Sequence, residues 1–194
     1  MILLINNHSG KIYEISKVLK KLHTEYTIRD QKSNLSKINK SSISGVILSG
    51  GGLQLDKKIK FNQIRADIAS IMRFNVPILG ICLGHEIIAE AFGGEIVKLR
   101  KEEIDSNLNV RILKKSKIFK GLPNYMEADE QHSRYVRDLP KEFIVTAHSK
   151  RDKIEAFFHK TKPIFGVQFH PEDSGIIGEQ IIKNFLDICK KHKK

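Results

Sequence analysis

Short apolar runs alternate with amphipathic segments through the first half of the chain. Residues 1–5 form an apolar run, and after a polar turn the apolar side chains recur three or four positions apart. This pattern predicts a strand followed by a helix. Further strands are predicted at 26–29, at 43–48 and before Cys82, with a helix over about 58–74. Near-continuous apolar strands that alternate with amphipathic helices are typical of a buried, mainly parallel sheet.

The second half begins with a helix predicted over about residues 85–92, after which the pattern changes. Short alternating segments then predict hairpin-like strands at 109–113, 125–128, 143–146 and 154–158. A last apolar strand at 163–169 and a helix at 176–189 complete the chain. We therefore predict one α/β domain over residues 1–194, with helices flanking a mainly parallel central sheet and a small additional antiparallel β region.

Length and composition exclude several classes of protein. A chain of 194 residues can bury a core within one domain. It contains no run of 18 apolar residues, and its apolar N-terminal run is too short and lacks the basic leader of a signal peptide. The two cysteines, Cys82 and Cys189, lie far apart and support neither a disulfide scaffold nor a cysteine-based metal site. We expect a cytoplasmic protein without a metal site.

The charge balance is strongly basic, with 34 lysines and arginines against 22 acidic residues. The basic runs are short and spread along the chain, and no aromatic residues are interleaved with them as in a surface that stacks nucleic-acid bases. This distribution favours a solvated lysine-rich surface. Docking on an acidic protein is the main alternative, and specific nucleic-acid binding is the least favoured.

Cys82 lies between an apolar run and a predicted helix, with Gly80 and Gly84 on either side. Glycines at these positions allow a sharp strand-to-helix turn from which the sulfur can project above the sheet edge. A helix beginning at Gly84 would direct free N–H groups at the sulfur and favour the thiolate. Taken alone, these residues leave a buried structural cysteine as an equal alternative.

His170 and Glu172 follow the last predicted strand and complete a candidate catalytic set. A cysteine nucleophile needs a base for its proton, and that base needs a third group to orient its ring. In extended backbone, a spacing of two residues places both side chains on one face, so Glu172 could support His170. His-Pro-Glu alone is a weak signal, but together with the turn at Cys82 it predicts nucleophilic catalysis.

Acyl transfer at a cysteine also needs hydrogen-bond donors for the oxyanion. Gly51 and Gly52 follow a predicted strand that could lie beside the cysteine strand, and Leu83 comes directly after the nucleophile. Their backbone N–H groups are therefore candidates for the oxyanion hole. An ordinary flexible turn is the alternative for the glycine run.

Three segments together resemble the signatures of class I, triad-type glutamine amidotransferases: residues 49–52, 80–86 and 166–172. The resemblance covers nearly the whole chain and implies a flavodoxin-like fold. It further implies that Cys82 forms a γ-glutamyl thioester, that His170 acts as base and then acid, and that Glu172 orients His170. Ammonia released from L-glutamine would travel, shielded from water, to a synthetase site.

Within this family the chain is most similar to the free-standing glutaminase subunits of archaeal-type GMP synthases. The segments that carry this similarity are residues 5–8, 76–85, 91–95, 118–123, 154–156 and 162–164. The resemblance implies a separate ATP-pyrophosphatase subunit that aminates XMP to GMP. ATP and magnesium would belong to that partner, and no cofactor is implied for this chain.

The chain departs from the family pattern around the expected glutamine site. Glu86 replaces the usual glutamine four residues after the cysteine, and it could bind the substrate ammonium, carry a proton, or point away from the site. A carboxylate near Cys82 would also oppose thiolate formation. Residues 131–136 differ from the usual segment of the GMP synthase branch, and Ser133 and Arg134 are the expected contacts to glutamine there, while His132 is as easily a loop residue.

These departures leave two alternative functions open. The chain could be a stand-alone hydrolase of γ-glutamyl compounds or a glutaminase subunit for another acceptor. It could also be a regulatory subunit with weak or absent hydrolysis, although the intact set of Cys82, His170 and Glu172 argues against this.

Overall fold

The structure is a computed structural model that describes residues 1–52 and 61–192. The strands are β1 (Ile2–Asn6), β2 (Tyr26–Asp30), β3 (Gly45–Leu48), β4 (Ile78–Ile81), β5 (Glu95–Ile112), β6 (Tyr125–Asp138), β7 (Phe143–His148), β8 (Ala156–His159) and β9 (Ile164–Val167). The α-helices in these ranges are α1 (Ile12–Lys21), α2 (Arg65–Arg73), α3 (Leu83–Ala91) and α4 (Gly175–His192).

The nine strands form one mixed sheet in the order β2-β1-β3-β4-β9-β8-β7-β5-β6. The first five strands in this order pair in parallel, and the remaining pairs are antiparallel. The α/β fold with a parallel region flanked by helices is therefore confirmed. The antiparallel part is larger than the small region that was predicted. It contains four of the nine strands, β5, β6, β7 and β8.

Both faces of the parallel region are buried by helices. Along β1, Ile2 and Leu4 belong to the apolar core that includes residues of α1 and α4. Leu3 and Ile5 alternate with them and belong to a second core that includes residues of α2 and α3. Because successive strand residues point to opposite faces, a strand covered on both sides must be apolar throughout. This explains the continuous apolar runs in the sequence.

Two of the four short strands predicted after residue 95, those at 109–113 and 125–128, are parts of much longer strands, whereas those at 143–146 and 154–158 correspond to β7 and β8. Strands β5 and β6 run for 18 and 14 residues and pair with each other. Their register shifts between Lys98 and Glu103 and again between Asp105 and Leu108. Each shift breaks the apolar alternation on which strand prediction depends, so a long irregular strand appears as short fragments.

Helix boundaries also differ from the sequence-based prediction. α3 begins at Leu83, directly after the cysteine and two residues before the predicted start. The helix predicted over 58–74 is observed at Arg65–Arg73, and residues 58–60 of that prediction lie outside the described ranges. Within those ranges, no helix combines the length and the apolar character that crossing a membrane requires.

The carboxyl ends of the central parallel strands meet at one edge of the sheet. β1 is followed by Asn7, β3 leads to the glycine run at 50–52, β4 leads to Cys82, and β9 precedes His170. Because the strands are parallel, residues far apart in sequence are brought to this one edge. Ligands of open α/β sheets typically bind at such an edge.

Candidate active site

Cys82 occupies a sharp turn between β4 and α3. Its backbone has φ 49° and ψ −105°, a conformation that L-residues rarely adopt and that is often found at functional sites. A Cβ added at Gly84 would overlap the backbone carbonyl of Leu48, and one at Gly80 would overlap the carbonyl of Gly84. The glycines on either side are therefore required by close backbone packing, and the predicted strand-to-helix turn is observed.

His170 lies between Cys82 and Glu172 in the folded chain. Its Nδ1 is 2.9 Å from Oε1 of Glu172, and the imidazole also hydrogen-bonds with the Cys82 side chain. All three side chains are buried. The structure thus brings together the nucleophile, the base and the orienting group named from the sequence.

The backbone that carries His170 and Glu172 is not the extended segment that the sequence predicted. β9 ends at Val167, and Pro171–Asp173 form a single 3₁₀ turn directly after His170. Two hydrogen bonds hold the turn in place: the His170 N–H donates to Asp129 O at 2.8 Å, and the Ser174 hydroxyl donates to His170 O at 2.6 Å. The Glu172 contact therefore depends on a turn rather than on strand alternation.

Burial dominates the protonation of the nucleophile. It raises the pKa of the Cys82 thiol, and the hydrogen bond and positive charge of His170 oppose this rise only in part. The net shift is therefore opposite in direction to the one expected from the helix field. The thiol is close enough to donate to the Gln131 carbonyl oxygen, with a separation of 3.6 Å between sulfur and oxygen.

His170 is a strong proton acceptor. Burial disfavours its charged form, but hydrogen bonds to Cys82 and Glu172, together with their charges, raise the pKa of His170 to about 11. The ring can therefore hold a proton beside the sulfur.

The candidate oxyanion residues lie around the sulfur. Gly51, Gly52 and Leu83 line the same cavity as Cys82. Leu83 is the first residue of α3, where backbone N–H groups have no acceptor within the helix. A Cβ at Gly51 would overlap the backbone carbonyl of Asn7, whereas one at Gly52 would meet no atom of the described residues within 4 Å. Gly51 therefore lets the glycine loop approach the β1 loop closely.

The cavity above Cys82 has a volume of about 730 Å³ and is lined by polar and charged side chains from several regions of the chain. Its lining residues are His8, Ser9, Gly10, Lys11, Gly51, Gly52, Cys82, Leu83, Glu86, Lys98, Glu102, Gln131, His132, Ser133, Arg134 and His170. This volume suits a small polar ligand. Glu86, Ser133 and Arg134, the residues predicted to contact the substrate, all line this cavity.

Comparison with known proteins decides the family. Residues 3–189 match the family model of class-I glutamine amidotransferases. The chain belongs to this family. It is 38% identical over 190 residues to the glutamine-hydrolysing subunit of GMP synthase from Pyrococcus abyssi, covering 97% of this chain and 98% of that protein. It is 36% identical over 191 residues to the protein of the same name from Methanothermobacter thermautotrophicus, covering 98% of each.

Solved structures agree with this assignment. A crystal structure from Thermoplasma acidophilum, provisionally described as that of a GMP synthase subunit, superposes with a TM-score of 0.89 and 31% sequence identity. The match covers 98% of this chain and 94% of that one. A glutamine amidotransferase from Thermotoga maritima shares the fold, with a TM-score of 0.74 at 21% identity.

The class-I amidotransferase site of this chain contains a charged pair that the sequence did not predict. Oε2 of Glu86 lies 2.8 Å from the Arg134 guanidinium, and both side chains are largely buried. Gln168 donates from Nε2 to Oε1 of Glu86 at 3.4 Å. Glu86 therefore faces the cavity, and the surface alternative is excluded.

Glu86 is poised to titrate near neutral pH. Burial raises its pKa to about 7 from an ordinary 4.5, and Arg134 and Gln168 limit the rise. The charge of Glu86 in turn contributes to the raised pKa of Cys82, as expected from the sequence. Ser133, the third predicted substrate contact, is exposed at the cavity wall.

Sequence reasoning missed three residues that support the amidotransferase site. Asn7 donates from Nδ2 to Ser49 O and to Asp67 Oδ1, each at 3.0 Å, which fixes the loop beneath the glycine run. Gln168 contacts both Cys82 and Glu86. Lys11 bridges two acidic residues near His170. For Gln168, its position directly after β9 and two residues before His170 was an available signal.

Proposed function

We propose that this chain hydrolyses L-glutamine to glutamate and ammonia, and that the ammonia passes to a separate ATP-pyrophosphatase subunit that aminates XMP to GMP. The observation that carries the proposal is the buried His170 imidazole between the Cys82 thiol and the Glu172 carboxylate, beside a polar cavity. The near-full-length relatives named as glutamine-hydrolysing subunits of GMP synthase support the substrate and the partner.

The first half of the reaction forms a thioester. His170 takes the thiol proton of Cys82, and the thiolate attacks the carboxamide carbon of glutamine. N–H groups of the glycine loop and of Leu83 stabilise the negative charge that develops on the carbonyl oxygen. The imidazolium then protonates the leaving nitrogen, the C–N bond breaks, and ammonia leaves the γ-glutamyl thioester.

The second half returns the enzyme to its starting state. His170, now neutral, removes a proton from water, and the hydroxide attacks the thioester carbonyl. The C–S bond breaks, glutamate leaves, and the sulfur recovers its proton from His170. Glu172 stabilises the imidazolium in both halves and holds Nε2 toward the sulfur, because its carboxylate accepts from Nδ1.

Glu86, Arg134 and Ser133 would bind the amino-acid end of glutamine. Without substrate, the Glu86 carboxylate and the Arg134 guanidinium lie 2.8 Å apart at the cavity wall. An α-amino acid carries the complementary charges, so its ammonium suits Glu86 and its carboxylate suits Arg134. Binding would then exchange one internal ion pair for two with the substrate.

The synthetase subunit would supply the acceptor chemistry. The proposal assigns ATP and magnesium to that partner, because the chemistry at Cys82 needs neither. Ammonia must reach the partner without becoming ammonium, which requires docking of the two subunits near the cavity.

The test is ammonia and glutamate release from L-glutamine by the purified chain, by itself and with a candidate synthetase subunit plus ATP, Mg²⁺ and XMP. We expect stimulation by the partner and formation of GMP. Cys82→Ala should remove release entirely while leaving the melting temperature close to that of the parent. Residual glutamine turnover in Cys82→Ala would refute the thioester mechanism.

The Glu86–Arg134 pair favours one second candidate, a hydrolase of γ-glutamyl compounds, because a charged pair at the wall changes what the cavity accepts. Turnover of γ-glutamyl conjugates well above that of glutamine, without response to the synthetase, would select this alternative. Failure of a glutamine-analogue electrophile to label Cys82 with the partner present would instead indicate a regulatory subunit.

A further inference from the structure

A buried group of acidic side chains and one histidine lies behind the cavity wall and takes no part in the chemistry above. Nε2 of His132 is 3.1 Å from Oε1 of Glu130 and 3.4 Å from Oδ2 of Asp152. The ligand-type atoms of these three residues lie within 4.8 Å of one another, and all three side chains are buried. We call these three residues the buried cluster.

Independent backbone features hold the buried cluster together. Glu130 and His132 are alternate residues of β6 and therefore project to the same, buried side of the strand. Asp152 lies between β7 and β8, where its N–H donates to the Ser149 hydroxyl at 3.0 Å and its carbonyl accepts from the Ser149 N–H at 2.8 Å. The fold thus brings one imidazole nitrogen and two carboxylate groups, all possible metal ligands, to one point.

The hydrogen bonding of His132 identifies the state of its ring. Nδ1 is 2.5 Å from the backbone carbonyl oxygen of Arg134, which can only accept, so Nδ1 carries a proton. In the neutral ring, Nε2 then presents a lone pair to the carboxylates of Glu130 and Asp152. Such an arrangement is repulsive unless a proton or a metal cation lies between them. Histidines that bind metals commonly donate their other nitrogen to a backbone carbonyl in this way.

Glu130 supplies a second, independent indication of a missing cation. Its side chain is fully buried, and apart from its contacts with His132 and Glu155 neither carboxylate oxygen accepts a hydrogen bond from the part of the chain that the structure describes. Glu155, also fully buried, lies next to it. The carboxylates of Glu130 and Asp152 thus face the same imidazole nitrogen, at 3.1 and 3.4 Å, an arrangement that a bound cation would stabilise.

We propose that Glu130, His132 and Asp152 form a binding site for one divalent transition-metal ion such as Zn²⁺ or Mn²⁺. Tetrahedral bonds of 2.0–2.1 Å place neighbouring donor atoms about 3.3 Å apart, and the two measured separations of 3.1 and 3.4 Å match this spacing. One imidazole with carboxylates is a donor set that suits these ions. His132 also lines the cavity, which provides an entry route.

This site departs from the sequence-based expectation that the chain holds no metal. Its role would be structural, since the ion would anchor the part of β6 that carries Ser133 and Arg134 to the cavity wall. The proposal does not depend on the substrate, because binding of the metal is measurable without glutamine.

The experiment uses the tag-free full chain carrying Cys82→Ala, so that zinc cannot bind the cysteine sulfur. After chelator treatment and dialysis, Zn²⁺ or Mn²⁺ alone is added, and bound metal and melting temperature are measured. We expect one ion per chain and a rise of about 5–10 °C at saturating metal. The double variant Glu130→Gln/Asp152→Asn should weaken binding by about 100-fold or more. Glu127→Gln, an exposed glutamate on β6, is the matched control and should bind as the parent does.

Two results would overturn the proposal: no stoichiometric binding of either ion, or equal binding by the double variant and the control. Because the double variant could lose its fold, X-ray absorption at the zinc edge of the parent chain gives a second criterion. It should report one imidazole nitrogen with oxygen ligands at 2.0–2.1 Å. Two or more imidazoles, or oxygen ligands alone, would contradict the assigned residues.

Discussion

Cys82 combines an unfavourable backbone conformation with an unfavourable environment for ionisation, and the surrounding residues must compensate for both. Its backbone lies at positive φ, and its thiol is buried so that ionisation is disfavoured. His170 offsets the second, because its strongly raised pKa lets it take the thiol proton within the same buried volume. In the proposed mechanism, activation of the nucleophile is therefore local to this pair.

Replacing Glu172 with glutamine tests how His170 is oriented. An amide cannot stabilise the imidazolium as a carboxylate does, so kcat for glutamine should fall by roughly 100-fold or more. Glutamate release under saturating glutamine measures this. Asp173→Asn is the matched control, since Asp173 is in the same turn but contacts Lys11. A loss no larger than that of the control would contradict the orienting role.

Replacing Glu86 with glutamine tests the titration of the charged pair. The pKa of Glu86 is about 7 in the folded chain and near 4.5 when exposed, so the folded state binds more protons between these values. Stability must therefore fall as the pH rises through that window, by about 3 kcal/mol at most. The Glu86→Gln variant has no carboxyl group to ionise at this position, so its stability should not fall in this way. The unfolding free energy of the variant minus that of the parent should therefore increase between pH 5 and pH 8.

Chemical denaturation at several pH values measures this difference, and a constant offset from the lost Arg134 contact cancels when two pH values are compared. Glu25→Gln, an exposed glutamate outside the helices, should show no such trend. A Glu86→Gln variant whose advantage does not change with pH would show that Glu86 stays ionised.

The identity of Glu86 was visible in the sequence, but its pairing with Arg134 was not, because the long strand β5 separates α3 from β6 along the chain.

At the scale of elements, two loops at the ends of parallel strands set the geometry of the site. The loop after β3 and the turn after β4 lie side by side because β3 and β4 are paired. Gly51 approaches Asn7 so closely that no side chain fits, while Gly52 is open. The difference between these two glycines gives a sharp test.

Gly51→Ala should displace the glycine loop and remove a donor from the oxyanion, lowering kcat by roughly 100-fold. Gly52→Ala should retain activity within a few-fold, since its backbone N–H remains and its new Cβ meets no atom of residues 1–52 or 61–192 within 4 Å. Glutamate release and melting temperature are measured for both. Equal activity of the two variants would show that the loop position is not important for catalysis.

The strands show where sequence patterns are informative. The parallel strands β1, β3, β4 and β9 were predicted nearly in full because they are buried on both faces, which forces continuous apolar runs. β5 and β6 were found only as fragments, because their bulges break the alternation and much of their surface is exposed. The turn at Cys82 was predicted from glycine spacing, whereas the 3₁₀ turn at Glu172 was not, because turns stabilised by distant backbone partners leave little local signal.

At the scale of the whole molecule, Lys11 joins three parts of the fold. Its Nζ lies 2.7 Å from Asp129 on β6 and 2.7 Å from Asp173 in the turn after His170, and Lys11 itself precedes α1. Burial disfavours its charge, but the two carboxylates outweigh this and raise the pKa of Lys11. The bridge ties the first helix to the turn that carries the catalytic carboxylate.

Lys11→Ala should cost about 1–3 kcal/mol of unfolding free energy, because it leaves two partly buried carboxylates without their cation. Glutamine turnover should also fall several-fold as the turn at His170 loosens. Denaturant unfolding and kcat are the measurements. Lys17→Ala removes an exposed i,i+3 pair and should change stability by no more than about 0.5 kcal/mol. Equal effects of the two variants would contradict a bridging role.

The sequence alone predicted the α/β class, most of the parallel strands and the set of Cys82, His170 and Glu172 that the structure brings together, because each depends on local spacing or on burial of whole strands. Only the tertiary structure decided the protonation of Cys82, the Glu86–Arg134 pair, the Lys11 bridge and the cluster at Glu130, His132 and Asp152. These features depend on desolvation and on contacts between residues far apart in the chain, and neither quantity exists until the elements have packed.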